Sequence, residues 1–309
     1  MVPGGIVRKI YTAAIVVSSV AVLATGCSMN KMVAGMSASV FRQGVPALER
    51  EPDPQIAEQT APVMIKMTEA LLESAPNNED LLTLLAQSYG NYAFAFIDDD
   101  VIAATGNETE QKIATDRAKY YYALGRDAGL KVLKKNGTIR KGLAENYQLF
   151  EKGVQGLGKS DVPVLFWTAF NWGNWINYTR DNPFAVADLA KVQAMMTQVL
   201  KLDEKYYYGS PHAFFGVYYG SRPTILGGNP EKSREHFDKA SAVSGGKYLM
   251  PKVMYAQFYA VQAQDKELYR KLLNEVIAAD PNALPDQILA NKLAIGRAKI
   301  LLAKEKNFF

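Results

Sequence analysis

"VMIKMTEALLESAPNNEDLLTLLAQSYGNY" (residues 63–92) decides how the chain is read. Its first half repeats Met64, Thr68 and Leu71 and stops at Pro76. Its second half starts after Asn77 and Asn78 and repeats Leu82, Leu85, Ala86 and Tyr89. Both spacings match one face of a helix, and the amides with the proline supply the break. The stretch therefore predicts two helices joined by a tight turn, the second over 79–95. Asp80 stands near the start of that second helix, where the helix dipole favours a negative charge.

The pattern returns downstream. "VPVLFWTAFNWGNWINYTRD" (162–181) carries Trp167 and Phe170 in apolar register, and "AVADLAKVQAMMTQVLKLDEKY" (185–206) follows as its partner. "SPHAFFGVYYGSRP" (210–223) places Phe215, Gly216 and Tyr219 at large, small and aromatic positions. Its partner "NPEKSREHFDKASAVSGG" (229–246) carries Ser233, Phe237 and Ala240. Asn229 before Pro230 marks a helix start: a side-chain oxygen for the free amides, then a residue with no amide to satisfy. A fourth pair runs over 252–264 and 265–282. Ala256 and Tyr259 mark its first helix; Tyr269, Leu273, Val276 and Pro281 mark its second. A last helix over 285–304 covers the end of the array.

Small residues where helices touch, aromatics where gaps remain and a closing proline together resemble the tetratricopeptide pattern. The expected fold is all-α: a right-handed α-α superhelix of tetratricopeptide-like helix pairs with inserted helices and a C-terminal capping helix. An irregular all-α bundle is the plainer alternative. Two segments break the short-hairpin rule. "IDDDVIAATGNET" (97–109) has its acidic run in a solvated loop or helix end, and 131–161 holds an inserted helix over 139–152. Insertions in such arrays gather on one face, often a functional one.

The amino end follows another logic. Arg8 and Lys9 precede an apolar run from Ile10 to Leu23, then Ala24, Thr25, Gly26 and Cys27, the one cysteine in 309 residues. Basic, apolar and small-residue regions in that order make a secretory signal, and the run is short for a spanning helix of about 20 residues. Leu23 and the small residues before Cys27 resemble a bacterial lipobox. That resemblance implies cleavage before Cys27 and acylation of its thiol and its new amino group. Each buried CH₂ adds about 0.8 kcal/mol of membrane affinity, so several acyl chains hold firmly. Ser28 stands where inner-membrane lipoproteins carry Asp, which favours the outer membrane. The chain divides into a signal peptide over 1–26, a lipidated tether over 27–50 and a helical domain over 51–309. The expected location is the periplasm, lipid-anchored to a bacterial membrane.

Chemistry-bearing motifs are sparse. Thirty-five Lys and Arg against 31 Asp and Glu give a formal charge of +4, which does not point to nucleic acid. His212 and His236 fit no metal-ligand spacing and read as structural or surface histidines. "GLGKSD" (156–161) lacks the earlier glycine and the preceding strand of a phosphate loop. With no acid/base pair or activated nucleophile in the pattern, the reading is a non-enzyme with no cofactor and no metal.

Aromatics and amides carry more information. In a tetratricopeptide stack the first helices line the inner face. With Trp167 and Phe170 used in packing, Trp172 and Trp175 point inward, joined by Gln87, Asn91, Gly220, Ser221 and Gln257. They form a concave face suited to a small organic or hydrophobic ligand, or to a peptide. The plainer reading makes the same aromatics core. Tyr120–Tyr122 and Tyr206–Tyr208 cannot all face one way on a helix, so each cluster should bury one ring and expose another.

"YYGSRPTILGGNPEKSREHFDKA" (218–240) and "LANKLAIGRAKILLAKEKNFF" (289–309) resemble the T-component family associated with TRAP transporters (TatT). The most specific piece is Gly220-Ser221-x-Pro223 through Leu226-Gly227-Gly228. The resemblance spans nearly the whole chain. It implies a periplasmic lipoprotein working beside the substrate-binding protein of a tripartite, ion-driven uptake system for small molecules. It supplies no catalytic residues. The alternative is a general tetratricopeptide adaptor lipoprotein in envelope assembly or secretion. A homo-oligomer is compatible with either, and nothing in the residues counts subunits.

Overall fold

Short polar side chains start the helices. Asp53 accepts a hydrogen bond from the Gln55 amide at the head of α2 (Pro54–Ser74), and Asn78 accepts from the Leu81 amide at the head of α3 (Glu79–Tyr92). Asn107 caps α5 (Glu108–Leu133), Asn136 caps α6 (Gly137–Ala144) and Asn146 caps α7 (Tyr147–Gln155). Asn229 caps α12 (Pro230–Val243), with Pro230 in the first turn as expected. Each such cap is worth about 0.5–2 kcal/mol over alanine.

The structure, a computed structural model, describes residues 38–309. Cys27 and the signal over 1–26 lie outside the described residues. Among the described residues every regular element is helical and no strand occurs, so the fold class is all-α. The remaining elements are α4 (Asp98–Ala103), α8 (Val162–Asn177), α9 (Pro183–Ala187), α10 (Leu189–Leu202), α11 (Tyr206–Gly220), α13 (Met250–Met254), α14 (Lys266–Ala278) and α15 (Ile288–Ala303). Neighbours in sequence pack as hairpins: α2 on α3, α8 on α10, α11 on α12. The fourth pair sets α14 against α13 and the π-helical stretch Tyr255–Ala260 that prolongs it.

Several expectations are refined. The stretch over 38–49, expected as tether, is helical and becomes α1. Ala38 is buried with Ala75 and Leu81 against the α2–α3 turn, and Arg42 pairs with Asp80 at 2.5 Å. Of the two expectations for the acidic run, the helix end fits: Asp98, Asp99 and Asp100 form the first turn of α4, and only 104–107 are non-helical before α5. The π-helical stretch Ala93–Ile97 carries α3 directly into α4. The inserted helix over 139–152 is two short helices, because Asn146 ends one and caps the next. Tyr122 is buried and Tyr120 is 60% exposed, as a helix requires. Tyr206–Tyr208 are instead all half-buried. Tyr207, Tyr208 and Gly209 turn left-handed, with φ of 44°, 58° and 80°, so helical facing does not apply to them. Two tyrosines in that region cost roughly 1–2 kcal/mol each, offset here by packing: Tyr207 stands edge-on to Trp167 at 5.3 Å.

Glycines set the closest helix contact. Asn171 of α8 is buried and donates to the carbonyls of Ala86 at 2.9 Å and Trp167 at 2.7 Å. A Cβ on Gly125 of α5 would stand 2.4 Å from its Oδ1, and one on Gly90 of α3 would stand 2.9 Å away. One turn along, a Cβ on Gly129 would stand 2.0 Å from Thr168 Oγ1. Helices α3 and α5 therefore converge on the Thr168–Asn171 face of α8. Gly129→Ala should cost about 1–3 kcal/mol through overpacking, more than the roughly 1 kcal/mol that alanine gains over glycine in a helix. Gly296→Ala in α15, where nothing lies within 4 Å of the new methyl, should be neutral or stabilising. Urea unfolding of the two variants checks both signs.

Candidate functional site

The side of α8 opposite Asn171 faces a cavity of about 780 Å³. Phe166, Trp167 and Phe170 line it from α8, Met64 from α2, Val101 and Ile102 from α4. Phe214 and Val217 come from α11, Met254 from α13 and Leu293 from α15. Val45, Leu48 and Glu49 of α1 join them. The wall is mostly apolar, and elements from both ends of the chain build it.

Of the predicted inner-face residues, Gln87, Asn91, Ser221 and Gln257 line this cavity. Trp172, Trp175 and Gly220 are not on its wall. Trp172 is buried with Lys191 of the α10 side over its ring at 5.9 Å, and Trp175 carries Arg126 of α5 at 4.5 Å. Gly220 is pressed on α12, where a Cβ would stand 2.5 Å from Ser233 Oγ. The physical reason is that Trp172 and Trp175 turn toward α10 and α5, while Trp167, 1% exposed, packs in the core as expected and borders the cavity together with Phe170.

The acidic run over 98–100 holds the least expected chemistry. Asp98 is 8% exposed and accepts from Tyr122 at 2.9 Å and from Tyr178 at 2.8 Å. Asp99 pairs with Arg297 of α15, which is 2% exposed. Arg297 also donates to the carbonyl of Phe94 and stacks over the Phe94 ring at 4.4 Å. Burial pushes the Asp98 carboxyl up to about 6, against the Arg297 charge and the two hydroxyls, which pull it down. Burial likewise raises Asp99. Asp98 and Arg297 both reach the cavity wall.

Other polar groups share the wall. Glu49 accepts from Tyr207 at 3.1 Å, and burial raises its carboxyl. Gln287 Oε1 and Trp167 Nε1 are buried beside the cavity without a hydrogen-bond partner. Arg180 and Arg222 stand on the wall in the loops after α8 and α11. Sequence reading missed Asp98, Arg297, Glu49 and both arginines. The available signals were three aspartates between Ile97 and Val101 and an arginine amid the small apolar residues of "LAIGRAKI" (293–300).

The histidines lie off the cavity. His212 and His236 approach Nδ1 to Nδ1 at 3.0 Å, and burial lowers both, His236 to about 4 with help from the neighbouring ring. Among the described residues no three His, Cys, Asp or Glu side chains converge as metal ligands. No helix among them is long and apolar enough to cross a membrane.

Comparison with known proteins places the chain. A family model described as TRAP transporter T-component matches residues 50–309. An uncharacterized protein of Treponema pallidum (strain Nichols) is 24% identical over 263 residues, covering 84% of this chain and 81% of its own.

Arg297→Leu should destabilise the fold by about 3–5 kcal/mol, because it leaves buried carboxylates without their cation; thermal unfolding measures it. Asp98→Asn separates the titration. Between the ordinary 3.8 and the folded value of about 6, the folded state holds a proton that the unfolded state releases. The Asp98 contribution is thus fully present below about 4 and lost as pH rises through 6. Wild type should lose stability relative to Asp98→Asn across that window and keep a constant gap above it.

Proposed function

The chain belongs to the TRAP transporter T-component family, and on that premise we propose that it is a lipid-anchored periplasmic scaffold for the substrate-binding protein of a TRAP-type uptake system. Family membership associates the protein with such a transporter and with the cell envelope. The finer reading adds a role for the cavity, which holds or passes a small apolar molecule while the partner is docked. It also keeps the right-handed superhelix of tetratricopeptide-like pairs as the architecture, and the acylated Cys27 as the anchor, with Ser28 favouring the outer membrane.

One observation carries the docking part. Phe184 is 85% exposed, Ile225 92% and Leu226 65%. The segments that bear them also place Val186 and Leu226 on the cavity wall. Large apolar side chains left in water beside a cavity mark a contact surface. A solute receptor that docks there would cover these rings and aliphatic chains and join its own cleft to the cavity.

The test is co-sedimentation of the full chain with the substrate-binding protein of its transporter. Wild type should form a complex, and Phe184→Asp with Ile225→Asp should weaken it at least about thirtyfold, as loss of a central contact does. Recovery of secretion or assembly proteins alone, with no solute receptor, would overturn the reading in favour of a general adaptor. Cys27→Ser should move the protein from the membrane fraction to the soluble periplasmic fraction.

A further inference from the structure

Five charged residues line the cavity: Glu49, Asp98, Arg180, Arg222 and Arg297. Three are engaged. Arg297 is committed to Asp99 and the Phe94 carbonyl, Asp98 to two tyrosine hydroxyls and Glu49 to Tyr207. Arg180 and Arg222 differ. Among the described residues neither forms an ion pair.

Both guanidiniums are nevertheless held in place. Arg180 donates through Nη2 to Asn177 Oδ1 at 3.0 Å. Arg222 donates through Nε to the Tyr218 carbonyl at 3.1 Å, and its Cζ lies 3.8 Å from the centre of the Tyr218 ring. That ring is itself fixed, since Tyr218 OH donates to Gln193 Oε1 at 2.9 Å. Asn177 and Tyr218 line the cavity as well. Desolvation, with a smaller repulsion from Arg222, holds Arg180 below the ordinary arginine value. Arg180 is exposed and Arg222 half-buried, so both cations stay within reach of solvent, and two like charges on one wall make a field that attracts an anion. A guanidinium fork matches a carboxylate in plane and spacing. The neighbouring wall, Phe170, Phe214 and Val217, offers only apolar surface.

We infer that the cavity takes an amphiphilic carboxylate, its acid head between Arg180 and Arg222 and its hydrocarbon body among Phe170, Phe214 and Val217. This rests on the proposed role of the cavity as a ligand chamber and specifies what that chamber selects. The head is fixed where Asn177 and Tyr218 orient the two guanidiniums. The body fills space that would otherwise expose apolar surface to water. An uncharged molecule of the same length gains the second contribution and lacks the first.

Competition binding separates the two layers. The full chain carrying Cys27→Ser, so that it stays unacylated, is titrated with N-phenyl-1-naphthylamine, an uncharged apolar fluorophore. Decanoate and decan-1-ol then compete at pH 7.5. Wild type should bind the fluorophore and prefer decanoate by about ten- to a hundredfold, the worth of one or two charge-assisted hydrogen bonds. Arg180→Gln with Arg222→Gln should bind the fluorophore unchanged and lose the preference. Equal competition by acid and alcohol in wild type overturns the carboxylate inference and leaves the chamber intact. A preference that survives in the double variant does the same. No fluorophore binding at all overturns the chamber, and this inference with it.

Discussion

Arg297 ties the last long helix to α4 and the π-helical stretch before it. It lies on the last long helix and pairs with Asp99, almost two hundred residues earlier. Its second donor reaches the carbonyl of Phe94, within the π-helical stretch Ala93–Ile97. A π turn interrupts the regular i→i−4 ladder, and here an outside donor binds within the interruption. Lys304 repeats the connection in weaker form by donating to the Thr105 carbonyl at 3.0 Å. A buried ion pair is poor evidence of net stability, since desolvation can cancel its attraction. What it does provide is geometry: α15 is drawn back onto α4. The cavity between these helices is lined from α1 through α15.

That closure depends on a second constraint on the opposite flank. Gly90, Gly125 and Gly129 let α3, α5 and α8 approach until only Asn171 and Thr168 fit between them. Close packing of polar and glycyl surface on one flank leaves the bulky side chains of α8 to build the core on the other. Phe166, Trp167 and Phe170 can then line a cavity and pack on Tyr206 and Tyr207. The two constraints are complementary. One brings backbones together where side chains are small, and the other joins distant helices where side chains are charged.

The helices themselves were legible, because capping amides, prolines and apolar spacing are local features. Asn78, Asn229 and Pro230 mark their helix starts in the sequence as in the structure. Register was less legible. Trp172 and Trp175 were assigned inward on the assumption that large residues pack and the next ones face the concavity. The glycines that decide otherwise lie on other helices, forty or more residues away in the chain. The same limit hid the acidic run. Asp98 reads as solvated until Tyr122, Tyr178 and Arg297 arrive from three separate helical regions. Gln87, Asn91, Ser221 and Gln257 line the cavity, from α3, the end of α11 and the π-helical stretch Tyr255–Ala260. The helical form of α1 was hidden in a segment rich in small residues, whose packing partners, Asp80 and Tyr207, are also remote.

The charges around the cavity follow from this division. Asp98, Asp99 and Arg297 form one buried cluster, two carboxylates to one guanidinium, whose polar atoms are engaged inside the fold. Glu49 is tied to Tyr207 and so helps seat α1 against the cavity. Arg180 and Arg222 stand outside both arrangements, in loops that follow α8 and α11 rather than within a helix contact. A charge needed for packing would be expected beside a partner from a neighbouring element. Among the described residues neither arginine has such a partner, and each is instead oriented by a side chain or carbonyl of its own segment. With Arg180 exposed and Arg222 half-buried, the packing does not require either charge, and both stay open to an anion that enters the cavity.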